Sequence, residues 1–162
     1  MNHIRFSSPI GEITAVGEGE KLYYVNFSDR VPLSRQIGEE VSLPVLEDAR
    51  RWLELYFSGA VPDFAPPVEY EGTAFQRSVW RLLEEIPYGG SVTYGQLARR
   101  IEAQTGRRTA AQAVGQAVGH NPISLIVPCH RVLGANGALT GYGGGLDRKR
   151  WLLRLEKIDF KE

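Results

Sequence analysis

The sequence predicts two joined domains of different class: an α/β, strand-rich N-terminal domain over residues 1–69, and a mostly α-helical C-terminal domain over residues 70–162 containing a helix-turn-helix. Three observations predict this. Short runs of β-branched and aromatic residues, punctuated by Gly, Ser and charged turns, fill the first third. From Phe75 onward, apolar residues recur at spacings of three and four. Between the two patterns lies VPDFAPPVEYEGT, with three prolines, the only linker-like stretch. The formal charge changes sign across it: residues 1–69 hold 6 Lys+Arg against 11 Asp+Glu, and residues 70–162 hold 13 against 8.

The elements follow in order. IRFSSPIGEITAVGE and KLYYVNF read as strands. Leu46, Ala49, Trp52, Leu53 and Tyr56 share one face of a helix that Ser58-Gly59 ends. Thr73 caps the next helix, whose stripe of Phe75, Val79, Leu82 and Leu83 runs to Ile86 before Pro87-Tyr88-Gly89-Gly90 breaks it. Thr93 caps a third, carrying Tyr94, Leu97, Ala98 and Ile101. After Thr105-Gly106, TAAQAVGQAVGH forms a helix of small residues. Helix, Gly-containing turn and helix suggest a helix-turn-helix, and a plain helix hairpin in the core has the same signature. Ala110, Ala111, Ala113, Gly115, Ala117 and Gly119 let another helix or a ligand approach the backbone closely. The apolar run ISLIV reads as a short buried strand leading into Pro128-Cys129-His130-Arg131-Val132. A Gly-rich loop, LGANGALTGYGGGL, precedes a last amphipathic helix from about Asp147 to Lys157.

Composition removes several function classes. With 162 residues and 43% hydrophobic content, the chain can bury a core without disulfide or metal staples. Its single cysteine excludes an internal disulfide and a cysteine-rich zinc site. No stretch approaches the roughly 18 apolar residues of a membrane span. The start, MNHIRFSSPIG, lacks the basic and apolar regions of a signal peptide, so the expected compartment is the reducing cytoplasm. Arginine outnumbers lysine 15 to 4, and Arg is the better fork for phosphate. With the basic second half this hints at nucleic acid, although a chance charge split over one surface gives the same count.

Cys129 is the candidate nucleophile. A lone cysteine is by default a small buried hydrophobe. Here Pro128 can bend the chain, and His130 and Arg131 bring a base and a cation next to the sulfur. Such neighbours lower a thiol pKa, so a thiolate is expected. Adjacent residues on a strand point to opposite faces, so a Cys–His contact requires a turn at this point. On the last helix, Trp151, Leu152, Leu155 and Ile158 mark the apolar face, and Arg150, Arg154, Lys157 and Lys161 a basic stripe. Glu156 lies at the apolar edge, where it is either solvated or paired with His130 as a Cys–His–Glu relay. The Gly143-Gly144-Gly145 loop lacks the phosphate-loop pattern and so argues against nucleotide binding. No His/Asp/Glu cluster has metal-ligand spacing, and His3 and His120 read as structural or solvated.

FQRSVWRLLEEIPYGGSVTYGQLA and NPISLIVPCHRVLGANGALTGYGGGLDRKRWLLRLE resemble the O6-alkylguanine-DNA alkyltransferases, the methylated-DNA–protein-cysteine methyltransferases. The match covers residues 73–158, with PCHRV as the specific block; residues 1–72 share the general layout of the family's ribonuclease H-like N-terminal domain. The resemblance implies direct reversal of DNA alkylation damage. The alkyl group of O6-alkylguanine in double-stranded DNA passes irreversibly to Cys129, once per molecule, after the nucleotide flips out of the stack. It implies that His130 takes the thiol proton through a water, that Glu156 orients His130, that Asn121 buttresses the relay, and that Tyr94 aids flipping and donates to the guanine. Thr93, Ala111, Gln112, Arg131, Val132, Tyr142, Gly143 and Gly144 are implied to line the substrate or the DNA, with the small-residue helix in the minor groove. No cofactor, metal or membrane is implied, and a monomer is expected. Many relatives carry Arg where this chain has Gln112. Gln112 is expected to fill the space left by the flipped nucleotide, with Arg107 or Arg108 supplying charge to phosphate. Three rivals share parts of the pattern: a damage sensor without chemistry, whose known examples lack the cysteine; a Cys–His hydrolase; and a helix-turn-helix interaction module with an inert thiol.

Overall fold

A computed structural model describes residues 1–162, which divide into two compact units. The first comprises Met1–Glu71 and Pro122–Ile126, the second Gly72–Asn121 and Val127–Glu162. The chain thus changes unit at Glu71/Gly72, inside the proline-bearing stretch, and returns to the first unit for five residues.

In the first unit, β1 (Asn2–Ser8), β2 (Gly11–Glu18) and β3 (Lys21–Phe27) form an antiparallel meander. The two-residue β4 (Glu39–Glu40) adds in parallel beside β1, giving the order β3-β2-β1-β4. Helix α1 (Pro44–Phe57) buries Leu46, Ala49, Leu53 and Tyr56 against this sheet. Its approach is close at Gly17, where a Cβ would lie 3.1 Å from Val45 and 3.2 Å from Leu46.

The run ISLIV is not the strand its pattern suggested. Only Ile123 bridges, to Val25, through Val25 N–H to the Pro122 carbonyl (2.8 Å) and Ser124 N–H to the Val25 carbonyl (2.9 Å). At Leu125 the backbone turns left-handed (φ 72°), which stops any ladder. With the Leu22–Val68 bridge, this segment covers the outer edge of β3, a common way to protect an edge from pairing elsewhere.

The second unit is helical. Helices α2 (Ala74–Glu84) and α3 (Tyr94–Thr105) each open with a complete capping box, Thr73 with Gln76 and Thr93 with Gln96. Helix α4 (Ala111–Gly119) packs on both, and the Trp80 indole donates to the Ala117 carbonyl (2.8 Å) to lock α2 onto it. Helix α5 (Leu146–Leu155) closes the unit. A short parallel pair, β5 (Val92–Thr93) with β6 (Val132–Leu133), ties the segment after Cys129 to the start of α3. Tyr94, which follows β5 directly, is thereby held beside the strand that follows the Cys129 turn. No helix is long and apolar enough to cross a membrane.

Candidate active site

Residues Cys129–Arg131 form one turn of 3-10 helix, entered from Pro128 and left into β6. This is the turn that a Cys–His contact required. Cys129 is 7% exposed, and His130 is fully buried. The His130 Nε2–H donates to Glu156 Oε2 (2.6 Å). With its proton held there, Nδ1 is the basic nitrogen of the ring.

Glu156 stands at the C-terminal cap of α5, where the helix dipole opposes a negative charge. Its partners reverse that penalty. Oε1 accepts from Arg131 Nε (2.8 Å) and from Gly89 N–H (3.0 Å), while Oε2 holds His130. Burial raises the carboxyl pKa, but the bonds and charges of His130 and Arg131 outweigh it and hold Glu156 at about 2. For His130, burial outweighs the pull of Glu156 and lowers the pKa below its ordinary 6.5, so the ring is a neutral base at pH 7.

Two sequence expectations are corrected here. The thiol pKa is raised, not lowered: burial dominates over the hydrogen bond from Asn121 and the charge of Lys149. The resting sulfur is therefore a thiol. Arg131, expected to contact DNA, is buried at 7% exposure; its guanidinium is spent on Glu156 and on the Ile86 carbonyl (2.7 Å), with the Tyr88 ring beneath it. Its task is to hold the carboxylate in place.

Of the other expected residues, Asn121, Tyr94 and Tyr142 couple to the thiol, and the rest lie elsewhere in the unit. Asn121 is buried, bonds the sulfur, and donates to the Val127 carbonyl (2.8 Å). Tyr94 receives a hydrogen bond from Thr140 Oγ1 (3.4 Å). Burial raises its pKa and that of Tyr142, and the Cys129 charge adds to both, so both hydroxyls remain protonated donors at neutral pH. The Tyr142 hydroxyl is buried and makes no hydrogen bond within the protein. A Cβ on Gly143 would lie 3.8 Å from the Gly119 carbonyl, placing the Gly-rich loop beside the end of α4. Gly144 is buried and its carbonyl accepts from Arg148 (3.3 Å). Thr93, Tyr94, Ala111 and Gln112 share one groove of about 950 Å³, and Gln112 is exposed in it. Cys129 does not line that groove; Tyr94 does, within electrostatic range of the sulfur.

The sequence pattern missed Lys149. It is fully buried, and its ammonium donates to the carbonyls of Val132 (2.7 Å), Thr140 (3.1 Å) and Gly141 (3.4 Å). Burial lowers its pKa to about 8, against the attraction of Cys129. It staples the strand after Cys129 to the loop before Tyr142. The signal was present: Lys149, Leu152, Leu153 and Glu156 have the i, i+3, i+4, i+7 spacing of one helix face, and all four are buried.

Two family models match the chain. The ribonuclease-like domain of 6-O-methylguanine DNA methyltransferase matches residues 2–70, and the DNA binding domain of the same family matches residues 74–158. A methylated-DNA–protein-cysteine methyltransferase of Methanosarcina acetivorans is 48% identical over 161 residues, 96% of this chain and 98% of the relative. The protein of that name from Haemophilus influenzae is 44% identical, over 96% of this chain and 86% of its own. Among solved structures, Mycobacterium tuberculosis OGT in complex with DNA superposes with a TM-score of 0.84 at 41% identity, over 97% of this chain and 93% of that one.

Proposed function

Because the chain belongs to the methylated-DNA–protein-cysteine methyltransferase family, we propose that it repairs O6-alkylguanine in double-stranded DNA by moving the alkyl group irreversibly onto Cys129. The observation that carries this reading is the buried pair of His130 and Glu156 on the turn that bears Cys129, with the protonated hydroxyls of Tyr94 and Tyr142 electrostatically coupled to the sulfur.

In the proposed step, Cys129 Sγ attacks the alkyl carbon of a flipped guanine. The S–C bond forms as the C–O6 bond breaks. His130 Nδ1 takes the thiol proton, through a water where one bridges, and Glu156 stabilises the imidazolium that forms. Donation from Tyr94 and Tyr142 to the departing base offsets its developing charge, and the guanine leaves with a proton in place of the alkyl group. The thioether is stable, so each molecule acts once. Asn121 positions the sulfur, Val132 and the Cys129 carbonyl face the base, and Gly143 and Gly144 form the pocket wall. Ala111 and Gln112 face the duplex, Gln112 filling the space of the flipped nucleotide. A Cβ on Gly119 would meet nothing within 4 Å, so internal packing does not demand a small residue there, whereas close approach of DNA does. The protein acts as a cytoplasmic monomer in this reading.

Intact mass after incubation with an O6-methylguanine duplex tests the proposal. One methyl per molecule on the wild type and none on Cys129→Ser is expected. Catalytic loss of alkylguanine beyond one equivalent, or no mass gain, rejects it.

The pKa directions also fix a pH profile. Below its ordinary 6.5, His130 is still neutral until its lowered pKa is reached; above it, the thiol stays protonated past its ordinary 9.0. The single-turnover rate should therefore be flat from about pH 6.5 to 9 and fall in acid. A tenfold rise per pH unit between 7 and 9 would show that a pre-formed thiolate reacts instead.

A further inference from the structure

The hydroxyl of Tyr94 is met by a residue outside the transfer machinery proposed above. Strands β5 and β6 run in parallel with Thr93 opposite Leu133, so Tyr94 and Gly134 leave the pair side by side. The chain then turns through Ala135–Gly137, closed by Gly134 N–H to the Ala138 carbonyl (2.8 Å), and comes back at Thr140. Thr140 Cγ2 lies over Gly134, where an added Cβ would be 2.7 Å from it, so only glycine leaves room for the side chain above. From that seat Thr140 Oγ1 donates to the Tyr94 hydroxyl oxygen (3.4 Å).

Both partners are held in place. Threonine is β-branched, so a single χ1 well fixes Cγ2 and Oγ1 together, and packing the methyl on Gly134 aims the hydroxyl. The Thr140 carbonyl accepts from the buried Lys149 ammonium (3.1 Å), which also holds the Val132 carbonyl of β6 (2.7 Å). The backbone carrying Thr140 is thus tied to the strand that runs beside β5. The Tyr94 ring has its own support: Cδ1 and Cε1 lie 3.6 and 3.7 Å from where a Gly115 Cβ would be, so the ring rests against α4. At 3.4 Å the hydroxyl contact is longer than the about 2.8 Å of a mature O–H···O bond, as catalytic hydrogen bonds often are before substrate binds.

A hydroxyl has one proton to give and two lone pairs that receive. When Thr140 fills a lone pair of Tyr94, the Tyr94 proton is left for another acceptor. Resting on the repair reading above, we propose that Thr140 is a positioning residue for the transfer step: by donating to Tyr94 it frees the Tyr94 proton for the departing guanine and strengthens that bond as negative charge builds on the base. Consecutive hydrogen bonds of one sense polarise each other in this way. The bond from Thr140 also pulls the Tyr94 pKa down against the upward push of burial, the direction that makes the phenol a better donor.

Single-turnover transfer from an O6-methylguanine duplex, read as saturating rate and half-saturating duplex concentration, tests this. Thr140→Val keeps the methyl on Gly134 and removes the hydroxyl; Thr140→Ser does the reverse. Thr140→Val should lower the saturating rate by about 3–10-fold, the worth of one neutral hydrogen bond, and change half-saturation by less than about twofold. Thr140→Ser should stay within about threefold of the wild-type rate. In a Tyr94→Phe background Thr140→Val should cost nothing further, since the acceptor is already gone. An equal loss with and without the Tyr94 hydroxyl, a slow Ser variant beside a fast Val variant, or a wild-type rate for Thr140→Val would overturn the proposal. If valine is not tolerated in the fold, Thr140→Ala in the same two backgrounds makes the same comparison. Wild-type protein that gains no methyl fails the repair reading itself. Wild-type protein that gains one, while the effects of Thr140→Val and Tyr94→Phe simply add, loses only the role of Thr140.

Discussion

Glu156→Gln is expected to slow alkyl transfer from an O6-methylguanine duplex by about 10²–10⁴-fold, the range spanned by positioned acid–base groups. The carboxylate does two things for His130. It fixes the proton on Nε2, which leaves Nδ1 basic, and it raises the ring pKa against the stronger depression caused by burial. Glutamine keeps the shape and loses the charge. The His130 pKa must then fall further, making a weaker acceptor for the thiol proton. The acid limb of the rate profile should move to lower pH at the same time as the plateau drops. Single-turnover quench measurements from pH 4.5 to 8 check both. Because Glu156 is buried and does not line the groove beside Tyr94 and Gln112, affinity for the duplex should change little. A variant that reacts at the wild-type rate with an unmoved acid limb would show that His130 does not receive the proton.

How much of this site was legible beforehand depends on how local each cause is. Capping boxes at Thr73 and Thr93, and the apolar stripes behind them, are written within four residues, and the helices start where those patterns place them. The need for a turn at Cys129 followed from strand geometry, and the 3-10 turn supplies it. Glu156 was a candidate only by its place on the helix edge, since nothing local distinguishes a paired carboxylate from a solvated one. Arg131 differs from its expectation for the same reason: in the sequence it is a cation beside the sulfur, implied by the resemblance to line substrate or DNA, and only the fold brings Ile86 and Glu156 to it. The run ISLIV misled because its partner, β3, lies about a hundred residues earlier, and a left-handed Leu125 leaves no trace in hydropathy. Lys149 was hidden among neighbouring cations, although its helical spacing marked it as inward-facing. The thiol pKa was misread because sequence neighbours are visible and burial is not.

Arg131→Met should cost about 3–5 kcal/mol of stability, because it leaves a buried carboxylate without its cation. For a chain of this size that corresponds to a fall in Tm of roughly 6–20 °C. Methionine preserves most of the apolar stem over Tyr88, so the change isolates charge and hydrogen bonding. The pH dependence separates the two possible origins. In the wild type, Glu156 titrates at about 2, below its ordinary 4.5, so its contribution is present above pH 4.5 and is lost as pH falls toward 2. Without Arg131 the carboxyl pKa moves upward, and less stability remains to be lost. The gap between wild type and variant should therefore narrow steadily from pH 4.5 downward in thermal melts. Adding Glu156→Gln to Arg131→Met should recover part of the loss, since the stranded charge is gone. A gap that stays constant in acid, with no recovery in the double variant, would mean that Arg131 supports the site without its pairing to Glu156. The hydrogen bond from Arg131 to the Ile86 carbonyl would then be what holds the Pro87–Gly90 loop, and the low pKa of Glu156 would rest on His130 and Gly89.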